Sequence, residues 1–425
     1  MTAAPDQDRA RSDFSMDTER RTLGQAGQDY VARLRGGELG ALPALAGLVV
    51  LLVVFSSLSE QFLTLNNVAN LLTQGAATAL IGMGLVFVLL LGEIDLSAGT
   101  GSGVAAAVLA LHYTEGGNLL GGMGTGVFYT FCLVLVLAGV LAGLTRLWVA
   151  IVPAAIALLV AALGVPANPW IEIVLAICVG ASIGCLTGFL VSRVGIPSFV
   201  VTLALFLAWG GVVLQLIGEG GTLGISDNPV LFAVANRSLP VWASWVLFVV
   251  VVGGFRGPNP AVLSIAGIPY VVPIVLAVLV LATFVLDRTS YGRHVYAVGG
   301  NAEASRRAGI DVRRIRMSVF VVSSTIAALG AIVAASKVGS VDPQAGGGNT
   351  LLFAVGAAVI GGTSLFGGRG RVRDAVIGAA VIAVIDNGLR LQGQSAAVVS
   401  IVTGLVLLLA ASVDALSRRR APIAR

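Results

Sequence analysis

The chain is built from long, uninterrupted apolar runs, and that pattern leaves few folds open to it. Continuous apolar segments lie at roughly 41–58, 69–91, 98–113, 124–143, 147–164, 171–192, 197–217, 239–255, 270–286, 317–336, 351–365, 374–388 and 396–414. Runs of this length are read as helices that cross a hydrocarbon layer. A barrel would instead alternate apolar and polar residues along each strand. Hydrophobic residues make up 57% of the chain and charged residues only 11%, too few charges to solvate a water-soluble surface of this size. The 55 glycines suit helices that approach closely in lipid. The expected fold is all-α, a polytopic transmembrane bundle of about twelve spans.

Charge sets the expected orientation. Net charge is +5, and every one of the 26 basic residues except Lys337 is arginine. Positive residues favour the cytoplasmic side, so the basic balance reads as orientation and gives no sign of nucleic-acid binding. Arg9, Arg11, Arg20, Arg21, Arg33 and Arg35 precede the first run, and Arg418, Arg419, Arg420 and Arg425 follow the last. Both ends are therefore expected in the cytoplasm, which requires an even number of crossings. The apolar segments are odd in number. Segment 239–255, flanked only by Arg237 and Arg256, is the one expected to be reentrant or peripheral. Residues 1–40 read as a disordered polar tail, with a short interfacial helix at 30–39, and 419–425 as a basic end. Arg369, Arg371 and Arg373 are expected inside. Residues 218–238 are expected outside, as is a short loop holding Lys337 and Asp342. Cys132, Cys178 and Cys185 lie in apolar runs and read as packing residues.

Three polar features interrupt the runs. At Gly92–Gly101, Glu93 and Asp95 end a long apolar helix, and Ser97, Gly99 and Gly101 follow. Carboxylates are costly at membrane depth, about 2.5–3.5 kcal/mol on insertion scales. The segment reads either as a gating or pore-lining break, with Asp95 or Ser97 capping the next helix, or as an exposed turn where charge costs little. The second feature is the basic island from Asp287 to Arg316, in the 41–418 membrane domain. Within it, Gly300 precedes a short helical pattern. Asn301 is the cap, Glu303 sits in the first turn, Ala302, Ala304 and Ala308 keep the cylinder narrow, Arg306 and Arg307 close it, and Gly309 suits a left-handed stop. So short a helix needs a docking surface, which makes it a peg for a partner; the bland alternative is a solvated loop held by anionic lipid. The third is a set of polar residues within runs: Asn66, Asn67, Asn70, Thr73, Gln74, Thr202, Trp209, Asp386 and Asn387. Amides and an aromatic face suit a sugar. Each could equally bond a neighbouring helix.

A weak internal repeat relates Gly92–Gly101 to Gly361–Gly370. No G-x-x-x-x-G-K-[ST] loop is present, so the chain is expected to hold no ATPase of that type. No catalytic or metal site is expected either. His112 and His294 stand alone, in interfacial or loop positions.

With these motifs in view, the chain resembles the permease subunits of bacterial ABC importers for monosaccharides, of the ribose, xylose and galactose type. The segments GEIDLSAG (92–99), IPSFVVTLALFLAWGGV (196–212), YGRHVYAVGGNAEASRRAGID (291–311), VIGGTSLFGGRGRV (359–372) and DNGLRLQG (386–393) carry the resemblance. It implies a ten-helix permease core with extra helices at 114–170, in a bacterial plasma membrane. It also implies a homodimer, a cytoplasmic ATPase subunit that binds ATP and magnesium, and an extracytoplasmic sugar-binding protein. The 301–309 element corresponds to the part that docks on the ATPase. Glu93 looks most like the xylose-type members. Two rival readings remain: a proton-coupled transporter using Glu93 and Asp95, and a membrane scaffold with no transport path.

Overall fold

A computed structural model describes residues 40–240, 242–244 and 267–420. The first helices are α1 (Leu42–Leu58), α2 (Leu65–Leu90) and α3 (Ser97–Thr114). A single turn α4 (Leu119–Met123) leads to α5 (Thr125–Leu144), α6 (Trp148–Leu163), α7 (Pro169–Phe189) and α8 (Ser198–Ile217). Then come α9 (Pro229–Asn236), α10 (Val271–Arg288), α11 (Ser290–Gly300), α12 (Ala302–Arg307) and α13 (Val312–Val338). Helices α14 (Asn349–Ile360), α15 (Val372–Leu391) and α16 (Ala396–Arg420) complete the described chain. Every apolar segment read from the sequence except 239–255 coincides with a helix; most of 239–255 lies outside the described residues, as do 1–39 and 421–425.

Length and composition suffice for crossing in six helical segments: Leu65–Leu90, Thr125–Leu144, Pro169–Val194, Ser198–Ile217, Val271–Arg288 and Val312–Val338. Shorter apolar helices stand beside them at Leu42–Leu58, Trp148–Leu163, Asn349–Ile360 and Ala396–Leu409. Strand pairing among the described residues is limited to β1 (Leu223–Gly224) and β2 (Ser340–Val341), antiparallel with Leu223 opposite Val341, and one isolated bridge. Helix starts follow the capping rule. The Thr64 hydroxyl accepts from Asn67 N, Asn168 Oδ1 from Trp170 N, Asn228 Oδ1 from Val230 N and Leu231 N, and Asp311 Oδ1 from Arg314 N.

Two expectations are corrected. The run at 351–365 ends as a helix at Ile360, because Gly361, Gly362, Gly367 and Gly368 open a turn in which the last three have positive φ. Lys337 is not in a loop but on the last turn of α13, where its ammonium group donates to Asn70 Oδ1 at 2.8 Å.

The centre of the bundle is α13, wedged between α7 and α2. Glycines make the wedge possible. A methyl group on Gly180 would lie 2.7 Å from the Ser324 carbonyl oxygen, one on Gly184 2.5 Å from that of Phe320, and one on Gly188 2.7 Å from that of Met317. These glycines recur every fourth residue, so one stripe of α7 is bare backbone. On the other flank, Gly84 of α2 backs onto the Ser323 carbonyl, and Gly330 of α13 backs onto Ala77 and Ile81. In both pairs the residue numbers run in opposite senses, so α13 is antiparallel to α7 and to α2. A Gly184→Ala variant should lose about 1–3 kcal/mol of stability through overpacking against backbone that cannot yield. Gly211, with nothing within 4 Å of its would-be methyl, is the control. Thermal unfolding in detergent should show a lowered midpoint for Gly184→Ala and none for Gly211→Ala.

Candidate functional site

The site grows from the place where α2 stops. Gly92 takes φ +72°, a conformation that favours glycine, and the chain turns through Gly92–Leu96 before α3 begins. Its repeat partner packs against it: a methyl on Gly92 would lie 3.2 Å from the Phe366 carbonyl, and Gly368 N–H donates to the Leu90 carbonyl at 2.8 Å. The start of α8 pins the same turn. Ile94 N–H donates to Ser198 Oγ at 3.2 Å, and Thr202 Oγ donates to the Ile94 carbonyl at 3.1 Å.

The two carboxylates of the turn have separate jobs. Asp95 is 1% exposed and accepts from Ser97 Oγ at 2.7 Å and from Ala98 N–H at 3.1 Å. Asp95 therefore caps α3, and Ser97 supports the cap. Its other oxygen lies 3.5 Å from Ser323 Oγ of α13. Glu93 approaches Arg316 of α13, Oε1 to Nε, at 2.8 Å without hydrogen-bond alignment. The exposed-turn reading is thus wrong for Asp95 and Ser97, both of them buried. Gly99 belongs to the same region for a packing reason, since a methyl there would lie 2.5 Å from the Gly346 carbonyl.

The basic island is almost wholly helical rather than a loop. Gly292, Val295 and Val298 of α11 are buried. Tyr296 donates its phenol proton to the Gly370 carbonyl at 2.9 Å, and Ser318 Oγ donates to Tyr291 Oη at 3.0 Å. Burial pushes both phenols up to about 12, so both stay neutral in ordinary buffers. Gly300 ends α11. Asn301 Oδ1 accepts from Ala304 N–H at 2.9 Å and opens α12. Glu303 pairs with Arg306 and with Arg307, the latter at 3.2 Å. Asn301, Glu303, Ala304, Arg306, Arg307 and Gly309 are exposed, while Ser305 is buried beneath them. Gly309, at φ +86°, ends the turn, and Asp311 at once caps α13.

The polar residues read as a sugar path do not form one cluster. Asn66 is exposed. Asn67 and Asn387 exchange hydrogen bonds at 2.9 Å, and Asn70 holds Lys337. Gln74 Oε1 is buried without a partner among the described residues. Asp386 pairs with Arg390 at 3.0 Å on its own helix. Thr202 serves the Gly92–Leu96 turn. Trp209 lines an apolar cavity of about 280 Å³ between α3, α5, α7 and α8, with Val104, Phe131, Ile183 and Gln215. His112 does not stand alone: it is fully buried, with Nδ1 3.0 Å from Glu172 Oε1. Arg316 and Ser323 carry no motif of their own, and the segment that holds Ser198 did not single it out, so the sequence did not reveal them as partners of the turn.

Residues 149–411 match the family described as the branched-chain amino acid transport system / permease component. The chain is 30% identical over 423 residues to the xylose transport system permease protein of Escherichia coli strain K12, covering 91% of this chain and 94% of the relative. The chain belongs to this permease family. The ribose import permease protein of the same strain is 29% identical over 372 residues, covering 87% of this chain and 92% of the relative. The D-allose transport system permease protein, again of that strain, is 31% identical over 363 residues, covering 85% and 87%. No solved structure matches the chain.

In this permease, the buried cap at Asp95 is the part of the site most open to a direct stability test. Asp95→Ala should cost about 1–2 kcal/mol, the usual loss of a capping side chain. Asp95→Asn, which keeps an acceptor oxygen, should cost less. Equal unfolding midpoints for the alanine variant and the parent protein would remove the capping role.

Proposed function

We propose that this chain is the membrane-spanning subunit of an ATP-driven importer that moves a monosaccharide, xylose or another pentose, by alternating access. The observation that carries the reading is the continuity from α12 to the turn. An exposed, capped α12 passes through Gly309 and the Asp311 cap straight into α13. The first turns of α13 then meet Glu93 and Asp95. A partner that grips α12 has a short mechanical route to the break between α2 and α3. The partner proposed is a cytoplasmic ATPase subunit; nucleotide and magnesium are bound there, and this chain contributes no catalytic group. A second copy of the permease and an extracytoplasmic sugar-binding protein complete the assembly, with both termini of this chain in the cytoplasm of a bacterial inner membrane.

The sugar assignment rests on relatives whose names specify ribose, xylose and allose. Glu93 points toward the xylose type. The ATP-bound partner and the loaded binding protein must each prefer one conformation, because a ligand shifts an equilibrium only through differential affinity. A proton relay through Glu93 and Asp95 has less support. Glu93 is matched with Arg316, and Asp95 is committed to a cap.

Glu303→Arg should break the Arg306 and Arg307 pairing and leave three like charges on the exposed ridge. Gly309→Pro would demand φ near −65° where the chain needs +86°. Each should weaken co-purification of the ATPase subunit by roughly tenfold or more, the loss expected at the centre of an interface. Unchanged recovery in both variants would refute docking through α12. Uptake of labelled xylose, ribose and allose by reconstituted vesicles, with and without ATP, should show ATP-dependent transport of one sugar in preference to the others.

A further inference from the structure

The Arg316–Glu93 pair has a place that no motif assigns to it, and its geometry points to a specific task. Arg316 lies in the second turn of α13, five residues beyond the Asp311 cap. Its partner is the first charged residue after the break in α2. The pair is partly shielded: the Glu93 side chain is 15% exposed and that of Arg316 33%. Seven residues further along α13, on the same face, Ser323 meets Asp95. Both carboxylates of the turn therefore look to one stripe of one helix. Asp95 is held in addition by Ser97 and the α3 backbone, and Ile94 by Ser198 and Thr202. The Glu93 backbone N–H donates to the Val88 carbonyl of α2 at 3.3 Å, but its carboxylate has one ion pair among the described residues, to α13. That carboxylate is the side-chain link of the turn that depends on α13 alone.

We propose that Arg316 and Glu93 form the coupling strut of this permease: a positioning pair that transmits displacement of the α12–α13 unit to the α2–α3 break. This rests on the docking role proposed for α12. The pair contacts neither ATPase nor sugar. When α13 shifts along α2 or tilts away from it, the ion contact draws the Glu93 end of the turn with it while Ser198 and Thr202 hold the centre. The turn then pivots about Ile94, and the start of α3 reorients. With the charge removed, α13 can move without the turn following. ATP would be hydrolysed and α12 would stay docked, but access would not alternate.

The test uses the full complex, with permease, ATPase subunit and binding protein reconstituted in vesicles and labelled xylose as the transported probe. Glu93→Gln and Arg316→Met should each lower sugar moved per ATP hydrolysed by about tenfold, within the range of ordinary coupling energies. ATPase co-purification and ATP turnover should remain near the parent level. The double variant E93R/R316E should recover much of the loss, which a purely structural role for either residue would not produce. Equal transport-to-hydrolysis ratios in the single variants and the parent would overturn the strut. So would loss of ATPase association in those variants, or a swap no better than its parents. Glu303→Arg, run in parallel, separates the two claims. If it and Gly309→Pro both retain the ATPase, the docking reading fails. If it loses the ATPase while Glu93→Gln transports normally, only the strut fails.

Discussion

Backbone-to-backbone contact between α7 and α13 is the constraint on which the rest of the molecule depends. In lipid, burial of apolar side chains gives helices little reason to associate, and close van der Waals packing has to supply it. Gly180, Gly184 and Gly188 strip one stripe of α7 of side chains, and the carbonyls of Ser324, Phe320 and Met317 fill the gap. Gly84 repeats the arrangement on α2. The α7 interface, with three such contacts, has few intermediate positions, so α13 moves with α7 or jumps to a new register. Its 27 residues, about 40 Å at the rise of an α-helix, join the exposed α12 at one end to Lys337 and Asn70 at the other.

That rod gives meaning to the two broken-helix turns. Gly92–Leu96 and Gly361–Arg371 are places where a helix stops inside the protein and glycines absorb the change of direction. Stopping a helix there leaves backbone groups to satisfy. The structure meets several of them with Asp95, Ser198, Thr202 and the Gly368 amide. The two turns touch. Tyr296 ties α11 to the same place through Gly370. The exposed α12, the rod and the turn thus connect at the basic end of the bundle.

Much of this was legible in the chain. Apolar runs marked the helices because length and composition alone decide them. The cap at Asn301 and the stop at Gly309 were legible because capping is local in sequence. The weak repeat of 92–101 at 361–370 pointed to two turns that prove to pack together. Contacts far apart in sequence were not legible. Arg316 is one arginine among many, and only the fold puts it beside Glu93. His112 looked solitary because Glu172 lies 60 residues away. The polar residues of α2 read as candidates for a sugar path because amides suit hydroxyls. In the structure Asn67 is matched to Asn387, and Asn70 to Lys337. Sequence alone leaves both uses open, since an amide that suits a hydroxyl suits another amide as well.

The account turns on α7 and α13 keeping one register while the machine works. Spin labels at Arg193, just past α7, and at Val338, the last residue of α13, would measure it in the assembled importer. The prediction is a single distance distribution that stays the same between the nucleotide-free and ATP-bound states. A shift of about 5 Å, one helical turn of slippage, or a second population on ATP binding would contradict it.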